Sequence, residues 1–186
     1  MTGNKHTLVA LVEDRPGVLN RMASLCRRRG FNIESIAVGH SETPRLSRMT
    51  IVVDGTNAMI EQLRKQLDKL VVTMKVSDIT SDNIVVRELA LIKVKANSET
   101  RSEIIQIVDI FRADIVDVAD DSVTVEVTGD EDKIDSLLSL LRSFGIKEMS
   151  RTGRIAMTRG GSSLLTEDKD KTARRSRNKA ASRNTE

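Results

Sequence analysis

The stretch VEDRPGVLNRMASLCRRRGFNIESIAVG, residues 12–39, holds one complete helix between two strands. Its apolar residues recur three and four positions apart, as on one face of a helix: Val18, Leu19, Met22, Leu25 and Cys26. Three arginines followed by Gly30 predict where this helix ends. Pro16 suits the first helical position, which places Gly17 in the first turn, where glycine costs about 1 kcal/mol relative to alanine. Either a tight turn or the approach of a ligand to the backbone explains that glycine.

The residues around this stretch extend the pattern to a β-α-β-β-α-β unit that closes near Ile79. Apolar runs and apolar–polar alternation predict four strands, at residues 7–12, 32–39, 48–53 and 72–77. A second helix is marked by apolar residues at helical spacing: Met59, Leu63, Leu67 and Leu70. This order of elements is that of a ferredoxin-like fold.

The same order repeats in the second half of the chain. Strands are predicted at 88–96, 115–118, 123–127 and 146–149, and a short terminal strand at 154–158. The pairs Thr100/Glu103 and Thr128/Glu131 have the spacing of capping boxes for the two intervening helices. The predicted fold class is therefore α+β, with two ferredoxin-like units.

We predict a first domain at 6–80, a linker at 81–87, a second domain at 88–159 and a disordered basic tail at 160–186. Each ferredoxin-like sheet carries its helices on one face only, so the other face is expected to remain open. Because an open apolar face or edge favours pairing with another copy, we expect an oligomer.

The charge of the chain is concentrated at its end. Of 186 residues, 31% are charged, and the net charge is +3. From position 162 onward, seven basic and four acidic residues account for all of that net charge. A basic tail permits contact with nucleic acid. The chain nevertheless has no Tyr or Trp, and its Phe residues (31, 111 and 144) lie near helix ends, so the aromatic sheet of an RNA-recognition motif is missing.

Other classes of protein are also disfavoured. No apolar run approaches the ~20 residues of a membrane span, and the polar segment 1–6 does not resemble a signal peptide, so we expect a cytoplasmic protein. Cys26 is the only cysteine and falls on an apolar helix face, where we expect a buried thiol. No zinc-site spacing, catalytic triad or phosphate-binding loop is present, and we assign no catalytic or metal-binding residue.

The turn before the first helix is the candidate binding site. The backbone amides near Gly17 and Val18 can face a carboxylate, because a helix N-terminus offers free donors and a positive dipole end. Asp14 and Asn32 are candidates for binding an ammonium group, on the expectation that the second strand begins close to the end of the first. On the residues alone, a plain Pro-Gly helix start with a capping aspartate remains an alternative.

Three segments, residues 11–39, LSRMTIVV at 46–53 and RELALIKVKA at 87–96, resemble the small regulatory subunit of acetohydroxyacid (acetolactate) synthase. The resemblance spans about residues 6–159. It implies that the first unit is an ACT domain that forms a homodimer side by side. It further implies that valine or another branched-chain amino acid binds at the paired interface. The effector-binding residues carried over by position are Asp14, Gly17, Val18, Asn32 and Ile33, the last two from the partner chain; several family members have asparagine at position 14.

The function that the resemblance implies is regulatory. In that family a large catalytic subunit uses thiamine diphosphate, FAD and magnesium to condense pyruvate with a second 2-oxo acid, in valine, leucine and isoleucine biosynthesis. The small subunit holds no cofactor, activates its partner and confers feedback inhibition. Alternatives from other classes are a stand-alone ACT-domain sensor acting on another partner, a nucleic-acid-binding module driven by the tail, and an enzyme in its own right.

Overall fold

The computed structural model describes residues 5–160 and consists of two ferredoxin-like units, which confirms the predicted fold class. The elements of the first unit are β1 Lys5–Glu13, α1 Val18–Arg28, β2 Ile33–His40, β3 Leu46–Asp54, α2 Asn57–Leu67 and β4 Thr73–Asp78. They form an antiparallel sheet of order β2-β3-β1-β4. The predicted basic tail lies, from residue 161 onward, outside the described residues.

The second unit has the same order of elements and one additional strand. Its elements are β5 Ile84–Lys95, α3 Arg101–Ile110, β6 Asp114–Val118, β7 Ser122–Gly129, α4 Glu131–Leu141, a short 3-10 turn Arg142–Phe144, β8 Ile146–Arg151 and β9 Ile155–Thr158. The sheet order is β6-β7-β5-β8, and β9 pairs with the first four residues of β5. Strand β5 therefore begins inside the predicted linker 81–87, because residues 84–87 find a pairing partner in β9.

Each unit has its own core between its sheet and its helices. In the first unit, side chains from alternate positions of β1 and β3 pack against the apolar faces of both helices: Leu8, Ala10, Val12, Met22, Leu25, Cys26, Met49, Ile51, Ile60, Leu63 and Leu67. The second core repeats this arrangement with Ala90, Ile92, Val94, Ile104, Val108, Val123, Val125, Val127, Ile134, Leu137 and Leu141. Cys26 is buried as predicted and packs in the core, where burial raises the pKa of its thiol.

The predicted capping boxes of the second unit are wrong. The side chain of Thr100 caps no helix; the Oδ1 of Asn97 instead accepts from the backbone amides of Glu99 and Thr100, at 3.0 and 2.8 Å. Helix α4 is capped by Asp130, whose Oδ1 accepts from the amide of Lys133 at 2.9 Å. Asparagine and aspartate lie a few residues from the predicted threonines and are at least as good at this role.

The sheet face opposite the helices differs from the expectation in the first unit. In the first sheet this face is covered in part by the second unit, since Val9 is fully buried and packs with Ile79, Ala156 and the β5 residue Val86. In the second sheet the corresponding face carries both polar and apolar side chains: Lys93 lies 3.4 Å from Glu148, and Leu91 is 39% exposed. Within the described residues, the open apolar face that was expected on the first sheet is therefore reduced by the second unit. No helix within residues 5–160 is long and apolar enough to cross a membrane.

Candidate functional site

The turn between β1 and α1 differs in detail from the sequence prediction. Helix α1 begins at Val18, and Gly17 is its N-cap residue with φ of 85°, in the left-handed region. Pro16 was predicted at the first helical position, and this is wrong. It lies two residues before Val18, and the left-handed Gly17 separates it from the helix. No atom outside the immediate chain neighbours lies within 4 Å of the position that a Cβ on Gly17 would occupy. The glycine is thus required by backbone geometry, and it also leaves the turn open to solvent.

The N-terminus of α1 is electrostatically unsatisfied. No side chain caps it, and its first turn contains no acidic residue, whereas Thr56 and Asp130 cap α2 and α4. The backbone amides of Leu19 and Asn20 donate to no other described residue. Free amides and the positive end of the helix dipole together favour an anion at this turn.

Asp14 lies at the edge of the same turn. Its carboxylate Oδ2 is 3.1 Å from Nδ1 of His40, and its backbone amide donates to the carbonyl of Arg45 at 2.8 Å. These contacts hold Asp14 beside the end of β2 and the turn that leads to β3. Both side chains are substantially exposed, so the pair can rearrange around a ligand at small cost.

The structure does not bring Asn32 and Ile33 to Gly17 within one chain. Ile33 pairs with Val53 and His40 with Ser47 on β3, which makes β2 parallel to β1. The start of β2 therefore lies at the far end of the sheet, about 20 Å from the turn at a strand rise of roughly 3.3 Å per residue. The expectation that the second strand begins near the end of the first is wrong, because α1 returns the chain to the edge of the sheet from which β1 started.

The position of β2 at the edge of its sheet is a feature that the sequence did not predict. It pairs with β3 on one side, and its other edge is free within the described residues. Val38 of this strand and Leu19 of α1 are both 48% exposed, although Leu19 falls on the predicted apolar face of its helix. The exposure of Leu19 could have been anticipated from the sequence. The predicted apolar face of α1 has five residues, and the fold buries only four of them.

The β-α-β-β-α-β units, with an open glycine turn in the first, place the chain in the class of proteins built from ACT domains. Residues 8–75 match the family model described as AHAS small subunit-like ACT domain, and residues 87–160 match the model of the small subunit of acetolactate synthase. The chain belongs to the family of acetolactate synthase small subunits.

Individual relatives resemble the chain over most of its length. A protein from Archaeoglobus fulgidus, named probable acetolactate synthase small subunit, is 58% identical over 156 residues, which are 84% of this chain and 98% of the relative. The acetolactate synthase small subunit of Mycobacterium bovis is 49% identical over 160 residues, covering 86% of this chain and 95% of the relative. The crystal structure of an acetolactate synthase small subunit from Thermotoga maritima matches with a TM-score of 0.79 and 43% identity, over 86% of this chain and 99% of that one.

Proposed function

We propose that this chain is the non-catalytic regulatory subunit of acetolactate synthase, and that it activates the catalytic subunit and makes it sensitive to valine. Both units match models of the acetolactate synthase small-subunit family, and this supports the catalytic subunit of acetolactate synthase as the partner. The observation that carries the sensor role is the open, uncapped start of α1 at Gly17, since an effector carboxylate can reach free backbone amides there.

A second copy of the chain completes the effector pocket in this proposal. If two β2 strands pair antiparallel about a two-fold axis, the start of β2 in one copy comes to lie beside the end of β2 in the other. Asn32 and Ile33 of the second copy then approach Asp14 and Gly17 of the first. The free edge of β2 and the exposed Val38 support this arrangement.

The ligand chemistry follows from the groups at the turn. The amides near Gly17 and Val18 take the carboxylate of the amino acid, and Asp14 takes its ammonium in exchange for His40. A pocket shared by two chains suits regulation, because a ligand that binds two packing states of a complex unequally shifts their populations.

The chemistry of the reaction belongs to the partner in this proposal. Thiamine diphosphate, FAD and magnesium are bound by the catalytic subunit in the cytoplasm, and this chain contributes no catalytic group. Among residues 5–160, no group of three or more His, Cys, Asp or Glu side chains could hold a metal ion.

Reconstitution tests the proposal. The purified chain is mixed with the candidate catalytic subunit, and acetolactate formation is measured with and without valine. Stimulation that valine reverses is the expected result. Stimulation that valine leaves unchanged would retain the partner and reject the valine site. If the chain neither stimulates nor co-purifies with the catalytic subunit, a stand-alone sensor acting on another partner replaces the proposal.

The dimer is tested separately by Val38→Glu, which places a charge on the free edge of β2. The matched control is Val71→Glu, because Val71 is 83% exposed in the turn before β4. Analytical ultracentrifugation should show dissociation for the first variant alone, together with loss of valine binding. A Val38→Glu chain that remains dimeric would contradict pairing through β2.

A further inference from the structure

A cleft of about 300 Å³ lies where the second unit covers the face of the first sheet. Residues 37–40 of β2 and two β3 residues, Arg48 and Thr50, form one side. Val85 and Arg87 of β5 and residues 155–157 of β9 form the other. This volume is at the lower end of the range for small-molecule sites.

The cleft contains positive charge that no carboxylate in its lining neutralises. Nη2 of Arg48 donates to the carbonyl of Ala156 at 3.1 Å, and Nη1 of Arg87 donates to the carbonyl of Val86 at 2.7 Å. Both guanidinium groups are thus bound to neutral acceptors and keep their charge. The acidic groups nearby act from outside the lining: Asp14 contacts His40, and Glu42 acts on Arg48 through space.

Arg48 is also partly withdrawn from water, and this burial lowers the pKa of its guanidinium. A partly buried cation is costly unless an anion accompanies it. A small anion that enters the cleft would therefore gain a charge-assisted hydrogen bond, of the kind that is stronger than one between neutral groups.

The remainder of the cleft is largely apolar. Val85 lines it from β5, and Ile155 and Met157 line it from β9, where both are more than half exposed. These side chains leave aliphatic surface in contact with water beside the two arginines. A ligand with a short branched aliphatic body would cover this surface.

We infer that this cleft binds a small carboxylic acid with a branched aliphatic chain and no ammonium group, at a site next to, and distinct from, the amino-acid pocket at Gly17. The carboxylate of the ligand meets Arg48 and Arg87, and its aliphatic chain packs on Val85 and Met157. A free amino acid fits poorly, because its ammonium would face two arginines with no carboxylate in the lining to receive it. The two sites therefore discriminate between an amino acid and a carboxylic acid of similar size that has no ammonium group, for which a 2-oxo acid is a suitable probe.

The experiment titrates the full chain, without any catalytic subunit, with 3-methyl-2-oxobutanoate in an isothermal titration calorimeter. L-Valine, which has the same carbon skeleton with an ammonium in place of the ketone, is titrated in parallel. Arg48→Gln and Arg87→Gln should each weaken 2-oxo acid binding by at least about tenfold, as expected for losing a charged hydrogen bond. The matched control is Arg28→Gln on the exposed end of α1, which should leave binding unchanged.

Arg87→Gln is included because Arg48 also holds β9 through Ala156, so that Arg48→Gln can weaken the fold; thermal melting separates these effects. Gly17→Asp should retain 2-oxo acid binding, which keeps the test independent of the valine site. The inference is overturned if the 2-oxo acid does not bind at millimolar concentration, or binds both arginine variants as it binds the unaltered chain. It is also overturned if Arg48→Gln abolishes valine binding although thermal melting shows that the variant is folded.

Discussion

Gly17 offers the sharpest test of the effector pocket, through the pair of substitutions Gly17→Asp and Gly17→Asn. Its φ of 85° lies in the region where an ordinary L-residue costs roughly 1–2 kcal/mol. Asn and Asp tolerate this region better than other residues, and the space around a new Cβ is empty. Both variants should therefore fold, with similar losses of stability of about 1 kcal/mol.

The two variants differ in charge. An aspartate at position 17 puts a fixed carboxylate where the carboxylate of the effector is proposed to bind. Two like charges about 5 Å apart repel by roughly 1 kcal/mol in water and roughly 3 kcal/mol at the effective dielectric of a protein surface. Because Gly17 is exposed, the value lies between these limits, which corresponds to a roughly 5- to 150-fold loss of valine affinity.

The assay measures valine inhibition of the reconstituted enzyme, with valine binding to the isolated chain followed by calorimetry. Gly17→Asp should raise the valine concentration for half-inhibition by that factor and leave activation intact. Gly17→Asn carries the same backbone strain without the charge, so its sensitivity to valine should fall much less. Unchanged inhibition in the Gly17→Asp variant, or equal loss in both variants, would refute the electrostatic role of this turn.

Three further predictions concern the fold and the tail. Arg151→Met removes the guanidinium that forms two hydrogen bonds with the buried Glu88, at 2.7 and 3.0 Å. Urea unfolding should show that the free energy of unfolding falls by about 3 kcal/mol, whereas loss of an exposed ion pair costs less than about 1 kcal/mol. A hydrogen bond from Lys5 lowers the pKa of Glu131, so its contribution to stability is present above its ordinary range near pH 4.5 and is lost as the pH falls. Glu131→Gln should therefore lower the melting temperature by more at pH 7 than at pH 3; an equal effect at both would contradict this. Truncation after Gly160 should leave activation in the acetolactate assay intact, and a large loss would place the tail in the partner interface.

The secondary structure was largely predictable because it depends on local periodicity. Leu8, Ala10 and Val12 alternate into the core from β1, and Met22, Leu25 and Cys26 recur at helical spacing on α1. The exact caps were less predictable, because several polar residues near a helix start compete for the same free amides. Asn97 accepts hydrogen bonds from backbone amides before α3, a role that was expected of Thr100. Nothing in the local spacing distinguishes the two residues.

The candidate site was predictable only in part. Gly17 and the start of α1 belong to one continuous segment, so their proximity follows from the sequence alone. Whether Asn32 joins them depends on the direction of β2 relative to β1, which is set by the crossover of α1 and the pairing of both strands with β3. The cleft around Arg48 depends on how β9 packs on the first sheet, across more than 100 residues of sequence.

The sequence by itself determined the order of elements, the two repeated units and the open turn at Gly17, because each rests on contacts between residues close along the chain. Only the tertiary structure decided that the second unit covers part of the face of the first sheet, and that β2 lies at an edge of that sheet. It also decided that Asn32 lies at the far end of the sheet from Gly17. The physical reason is that the hydrophobic effect is not directional, so an apolar strand face can be buried by any apolar surface that reaches it. Alternation along a strand therefore predicts that one face is buried, but it does not identify the surface that covers it.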